Sequence, residues 1–279
     1  SYDVEACPWS NIPDEDFALA DDNHWTIGQF VWTGFDYLGE PSPYDVNSWP
    51  NHSSMFGIID LASIPKDRYY LYRSVWNKNA ETLHILPHWT WPGREGEGTP
   101  VFVYTNYPTA ELFINGKSYG KQSKNNSSLK SRYRLMWMDA VYEPGEVKVV
   151  AYNKDGKAVA EKTVRTAGKP HHIELVSNRN ELTADGKDLA YVTVKVVDKD
   201  GNLCPTDSRL IHFSVKGAGK FRAVANGDPT NLERFHLPKM HAFHGMLTAI
   251  VQAGEIAGDL VLTAKASGVK TGTVHLQAK

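Results

Sequence analysis

Apolar and polar positions alternate along this chain in three successive ways, and each predicts a different architecture. The first is a short uninterrupted apolar run, Phe30-Val31-Trp32, the pattern of a strand over about 26–33 that is buried on both faces, as in a parallel sheet. Before it, residues 1–24 start as a loop, and Asn11-Ile12-Pro13-Asp14-Glu15-Asp16 reads as a helix start with an early proline and acids in the first turn. A short helix through Phe17, Ala18 and Leu19 follows. After the run, residues 39–56 hold Gly39, Pro41, Pro43, Tyr44, Trp49, Pro50 and His52, a long polar loop of the kind that carries function.

The second pattern has helical spacing. Pro65-Lys66-Asp67 opens it, Tyr69, Tyr72 and Trp76 recur on one face, and Asn77-Lys78-Asn79 closes it. The third has period two. Leu83 to Leu86, Val101 to Thr105, Glu111 to Ile114, Arg134 to Trp137 and Val147 to Tyr152 alternate, with hairpin turns signalled at Asn115-Gly116 and Asp155-Gly156. Beyond a boundary at Gly168-Lys169-Pro170, further alternating runs begin at Ile173, Val192, Ile211, Phe221, Leu247, Leu260 and Thr273, about seven strands of an immunoglobulin-like sandwich. A long loop from Asn226 to His244 interrupts them.

The expected fold is therefore mixed: part of a (β/α)8 barrel over 1–79, then two all-β immunoglobulin-like sandwiches over 80–168 and 169–279. The barrel reading rests on what leaves the apolar run. Trp32, Asp36, Tyr37 and Glu40 crowd its exit, as side chains do on the catalytic rim of such a barrel. A sugar ring lays its apolar face on an indole and offers its hydroxyls to carboxylates, so carbohydrate is the ligand class this grouping suggests. A core indole with a capping aspartate beyond it stands as the equal alternative.

Gly28 to Pro41 resembles the eighth barrel strand of glycoside hydrolase family two, which contains β-galactosidases, β-mannosidases and β-glucuronidases. The resemblance continues through Phe56-Gly57-Ile58-Ile59-Asp60-Leu61 and from Pro65 to Ser74, and more loosely through Ala110 to Ser118 and Ala225-Asn226-Gly227-Asp228-Pro229-Thr230. It implies a retaining mechanism with two carboxylic acids about 5–5.5 Å apart. In the family both are glutamates, at the ends of strands four and seven, which places them upstream of Ser1. Glu5 and Glu15 fall in a loop and a helix, and Asp36 and Glu40 leave one strand together, so none replaces them. No catalytic residue is expected in this chain, and alone it should be inactive. The resemblance assigns substrate contacts to Trp32, Asp36, Glu40 and His52, a surface histidine without a task being the alternative for His52. The family's glucuronidases carry an Asn-Lys pair before the last helix. Here that loop reads Asn51-His52-Ser53-Ser54-Met55-Phe56, without lysine, which implies a neutral β-hexoside such as a galactoside over a uronic acid.

Composition changes this picture little. A net charge of −2 gives no electrostatic reason to expect nucleic acid or an anionic membrane, and no apolar run nears 18 residues. Eight tryptophans and thirteen tyrosines suit carbohydrate contact, but aromatic-rich sandwich cores would account for most of them. Trp89 and Trp91 point the same way if extended, as a sugar platform would, or else pack back onto the barrel. Cys7 and Cys204 read as free thiols, neither they nor His236, His241 and His244 have metal-ligand spacing, and no cofactor is expected. The Asn-x-Ser sequons at Asn51, Asn125 and Asn126 read as chance matches. The expected partners are the carbohydrate, the remainder of the barrel, whose absence would expose Phe30, Trp32 and Ile58, and a second copy in a homodimer. The resemblance implies a bacterial, periplasmic or secreted protein. The competing reading is a non-catalytic carbohydrate-binding or adhesion module, or a plain spacer.

Overall fold

The computed structural model describes residues 3–41 and 50–279, and the chain divides into two compact units. One joins the residues up to Thr33 with Pro65–Thr166, and the other joins Gly34–Ile64 with Ala167–Lys279. Each is described by itself.

The first unit begins with α1 (Pro13–Asp22) and α2 (Asp67–Trp76). Helix α1 starts where a proline can replace an N–H that would lack an intrahelical partner, and Asp14, Glu15 and Asp16 sit on its positive end. Phe17, 1% exposed, packs edge-on against Tyr72 of α2 at 5.0 Å and against Tyr133 at 5.3 Å. The strands follow as β1 (Leu83–Leu86), β2 (Val101–Thr105), β3 (Thr109–Ile114) and β4 (Lys117–Ser123). A short helix α3 (Leu129–Tyr133) then precedes β5 (Leu135–Trp137), β6 (Glu146–Tyr152) and β7 (Ala158–Arg165). They form two antiparallel sheets, β1-β2-β5 and β4-β3-β6-β7, the two layers of a sandwich. Strand β3 buries every second residue, as its sequence requires, and Ala110, Leu112 and Ile114 meet Val101, Val103, Trp137, Val147 and Val149 in the core. The β3–β4 turn takes left-handed φ at Asn115 and Gly116, the primed-turn geometry signalled by that pair.

An ion pair fixes α1 to this sandwich. Arg134 and Asp14 have fully buried side chains in direct contact. Tyr104, at 0% exposure, donates from its hydroxyl to Asp3 at 3.1 Å, and Arg68 reaches the same carboxylate at 3.2 Å. Burial pushes the Asp14 carboxyl upward against the pull of the Arg134 charge. The cost of burying both charges offsets much of their attraction, whereas removing one partner would strand the other without water.

The expected strand over 26–33 does not form. Ile27 and Phe30 are fully exposed and Trp32 is 77% exposed. A strand buried on both faces is a property of its neighbours, which supply the other half of every ladder bond, and among the described residues none pairs with this segment. Ile58, expected to be exposed alongside them, is instead buried at 8% in the second unit.

The second unit contains β8 (His172–Ser177), β9 (Glu181–Leu182), β10 (Leu189–Val197), β11 (Leu210–Gly217) and β12 (Gly219–Ala225). It continues with β13 (Lys239–His241), β14 (Met246–Ala253), β15 (Gly258–Lys265) and β16 (Gly272–Ala278). Two sheets, β12-β14-β10-β8 and β13-β11-β15-β16-β9, enclose a core of Val192, Val194, Ile211, Leu247, Val251, Leu260 and Leu262. Among the named strands of these two sheets, every pairing is antiparallel except β9 with β16. The long interruption from Asn226 to His244 is no plain loop: β13 lies within it and pairs with β11. Cys7 is exposed and Cys204 is buried.

Asp198 closes the β10 end of this sandwich. Its carboxylate accepts N–H bonds from Gly168 at 2.7 Å and from Asp200 and Asn202 at 2.9 Å, and the Asn202 side-chain amide adds another. Burial opposes its ionisation, but these donors prevail and hold the carboxyl at about 2.

Two measurements follow from these polar clusters. Arg134→Met should cost about 3–5 kcal/mol in urea denaturation by stranding the Asp14 carboxylate, and adding Asp14→Leu should recover most of it. A single variant as stable as the parent chain would show that the pair does not order α1. Asp198 has a folded pKa below its unfolded value, so its contribution is full above about pH 4 and disappears as the pH falls towards 2. Asp198→Asn should therefore cost about 1–2 kcal/mol at pH 7 and roughly half of that at pH 3. An equal loss at both pH values would refute the assignment.

Candidate functional site

Two arms of irregular chain in the second unit, 34–41 and 50–64, carry most of the residues singled out from sequence. They are held together by backbone bonds far apart in sequence. Phe35 bridges Ile59 in parallel, with Asp36 N–H donating to Ile59 O and Ile59 N–H to Gly34 O, each at 2.9 Å. Leu38 bridges Ser53 in the opposite sense. There Gly39 N–H reaches His52 O at 3.0 Å and Ser54 N–H reaches Tyr37 O at 2.9 Å.

Asp36 lies between the arms at 7% exposure, and its Oδ1 accepts the Gly57 N–H at 2.8 Å. Gly57 is demanded by space. A Cβ there would overlap Asp36 N and Phe35 C, which are backbone atoms that cannot swing aside. Ser54 Oγ accepts Tyr37 N–H at 3.0 Å, Ser53 Oγ donates to Tyr37 O at 3.2 Å, and both serines are fully buried. The Tyr37 ring meets Phe56 edge-on at 5.9 Å while its hydroxyl donates to Glu40. His52 is half-buried, with Nδ1 3.2 Å from Pro50 O. Asp36, Glu40 and His52 are thus brought onto one paired element. Trp32 belongs to the first unit, where its indole is largely exposed. Tyr44 and Trp49, part of the expected polar loop, lie outside the described residues.

The tryptophan platform needs correction. Trp89 is 1% exposed in the core of the first sandwich, edge-on to Tyr142 at 5.2 Å, and its indole N–H donates to Glu143 O at 2.8 Å. It has no face to offer a sugar, and its packing partners are the sandwich's own. Trp91 stacks on His88 at 4.0 Å, its N–H donates to His88 O at 2.7 Å, and the Arg94 guanidinium lies over its ring at 5.3 Å. Local partners therefore already engage that indole.

Gly57, Ser53 and Ser54 are the contributors that residue chemistry did not single out. The signal available was the Gly57 between Phe56 and Ile58, an apolar run in which a glycine marks close backbone approach. Among the described residues, no helix is long and apolar enough to cross a membrane.

With two sandwiches and a carboxylate-bearing pair of arms described, the relatives of the chain can be placed beside it. Residues 173–275 match the model of the glycoside hydrolase family 2 C-terminal domain 5, and residues 96–160 match a domain of unknown function, DUF4982. The chain belongs to glycoside hydrolase family 2. It is 45% identical over 281 residues to the β-galactosidase BoGH2A of Bacteroides ovatus, an alignment covering 100% of this chain and 32% of that protein. It is also 35% identical over 209 residues to a putative β-glucuronidase of Formosa agariphila, covering 75% of this chain and 20% of the relative. The chain thus spans between a fifth and a third of the length of these relatives. Among solved structures, a β-glycosidase from Bacteroides vulgatus superposes with a TM-score of 0.86 at 33% identity, over 96% of this chain and 33% of that one. A family 2 member from Bacteroides cellulosilyticus gives 0.83 at 30% identity, over 93% and 37%.

The tight passage at Gly57 supplies a check on the paired arms. Gly57→Ala should destabilise the second unit by roughly 2 kcal/mol or more, because its methyl group can be placed only by parting the two arms. Thermal unfolding would measure this. A variant as stable as the parent chain would mean that the arms are not packed as described.

Proposed function

We propose that this chain is part of a retaining β-glycosidase whose substrate is a neutral β-hexoside, a galactoside in kind. The observation that carries the reading is the 45% identity to a β-galactosidase along the whole of this chain. Residues 1–79 are then the end of the catalytic barrel, and polypeptide outside this chain closes over the apolar side chains of Ile27 and Phe30.

The chemistry divides between the two parts. A retaining glycosidase forms a glycosyl ester on one carboxylate and hydrolyses it with water activated by a second. No pair of carboxylates in this chain is assigned those roles, and both come from the rest of the enzyme. Trp32 supplies an indole face against which the apolar side of the cleaved sugar ring lies. Glu40, held by the Tyr37 hydroxyl, and His52 present acceptors and a donor to sugar hydroxyls. Asp36 accepts the Gly57 N–H and is nearly out of reach of solvent, so its task is to hold the arms that carry the other two. The absence of lysine between Asn51 and Phe56 favours a neutral sugar over a uronic acid, whose carboxylate would require a cation. With Trp89 buried, the reading of the sandwiches as independent glycan binders keeps no supporting observation.

In the full-length enzyme, nitrophenyl β-galactoside should be hydrolysed in preference to the β-glucuronide, with this chain alone giving no turnover. The reverse preference would end the substrate assignment. In the same assay Trp32→Ala should cost roughly 2–4 kcal/mol in kcat/KM, the range for a lost transition-state contact. Unaltered kinetics would remove Trp32 from the site.

A further inference from the structure

We propose that the turn Asn226-Gly227-Asp228-Pro229, together with Thr248, is the positioning element for the arms that carry Asp36, Glu40 and His52, which makes the second sandwich a working part of the candidate site and not an appended spacer. For its activity arm the proposal rests on the glycosidase reading above.

Three contacts come from the chain just after β12 and from its neighbour β14, and each meets an arm at a different point. His52 N–H donates to Pro229 O at 3.1 Å. Thr248 Oγ1 donates to Ala62 O at 2.7 Å, from a side chain that is 7% exposed on β14. Between them Gly227 passes so close to Asp60 that a Cβ would overlap its carboxylate, 2.7 Å from Cγ. Gly227 is outside the left-handed region, so what it needs is space and not an unusual backbone.

Asp60 is a poor candidate for moving aside. Its Oδ1 accepts the N–H groups of Ala62 and Ile64, each at 2.8 Å, and Asp60 N–H donates to Ile64 O at 3.0 Å, which closes the 60–64 turn on itself. The opposing turn is equally well fixed. Asn226 is 3% exposed; its side-chain amide donates to His241 O at 2.8 Å, and its carbonyl accepts from Asp228 N–H and from Asn231, each at 3.2 Å. Two self-bonded turns pressed together at the short, hydrogen-bonded Asp60 side chain transmit position with little slack.

The candidate ligand residues lie one backbone bond further on. His52, gripped by Pro229, accepts Gly39 N–H beside Glu40. Ile59, next to Asp60, accepts Asp36 N–H. Displacement of the Asn226–Pro229 turn would therefore reach Glu40, His52 and Asp36 together, although none of its own side chains needs to touch substrate.

The test combines hydrogen exchange with kinetics in the full-length protein. Gly227→Ala should raise the exchange rates of the Gly39, Ser54 and Ile59 amides by about tenfold or more, while Val194 and Leu247 in the sheet stay protected. It should lower kcat/KM on nitrophenyl β-galactoside about tenfold, chiefly through KM. Thr248→Val should act in the same direction by about threefold, and Thr248→Ser, which keeps the hydroxyl, should restore both readings. If Gly227→Ala fails to fold, the Thr248 pair decides. Unchanged exchange at the three amides would overturn the proposal, and so would loosened arms with parental kinetics. A parent enzyme that cleaves no β-hexoside would instead remove the glycosidase reading, and the exchange measurement would still say whether the turn holds the arms.

Discussion

The candidate site depends on one close approach, in which Gly57 brings its backbone N–H to within 2.8 Å of the Asp36 carboxylate. Irregular chain has no repeating ladder to absorb its polar groups, so it holds a shape only where each buried donor meets an acceptor across the gap. The arms at 34–41 and 50–64 satisfy this requirement with four bridging backbone bonds and two buried serines. A residue with a side chain at position 57 would separate them. Everything the arms present, the Tyr37–Glu40 contact included, is positioned at second hand by that missing side chain.

The first unit meets a similar difficulty by another means. Helix α1 has ten residues, too few to be stable alone, and its anchorage combines the Phe17 aromatic cluster with the buried Arg134–Asp14 pair. The aromatic contacts supply apolar burial, while the ion pair makes alternative placements of the helix unfavourable by leaving a charge unmatched. The high aromatic content noticed in the sequence is partly accounted for here, since Phe17, Tyr72, Trp89, Tyr104, Tyr133, Trp137 and Tyr142 are all core residues.

How far the sequence could be read follows from the range of the interactions involved. The sandwich strands were legible because period-two alternation and the Asn115-Gly116 turn are local signals, complete within a few residues. Strands β9 and β13 are two and three residues long, too short to display a period, and they exist through pairing with β16 and β11. The indole of Trp89 could not be oriented from its spacing to Trp91, because alternation fixes direction only in a strand and this stretch is a loop. Residues 26–33 show the converse case, a strong strand pattern that forms no strand where no neighbour among the described residues completes it. The pairing of Phe35 with Ile59, and the pressing of Gly227 against Asp60, join positions that no local window contains.

The two sulfurs have a practical consequence. Cys7 stands on the surface, whereas Cys204 is 3% exposed, and burial together with the negative charges of Asp198 and Asp207 pushes its thiol up to about 11. A maleimide dye offered to the native protein would accordingly mark one position near the start of the chain and leave the other intact. Consumption of a second equivalent would then time the moments at which the C-terminal sandwich comes apart, giving a covalent clock that needs no engineered handle.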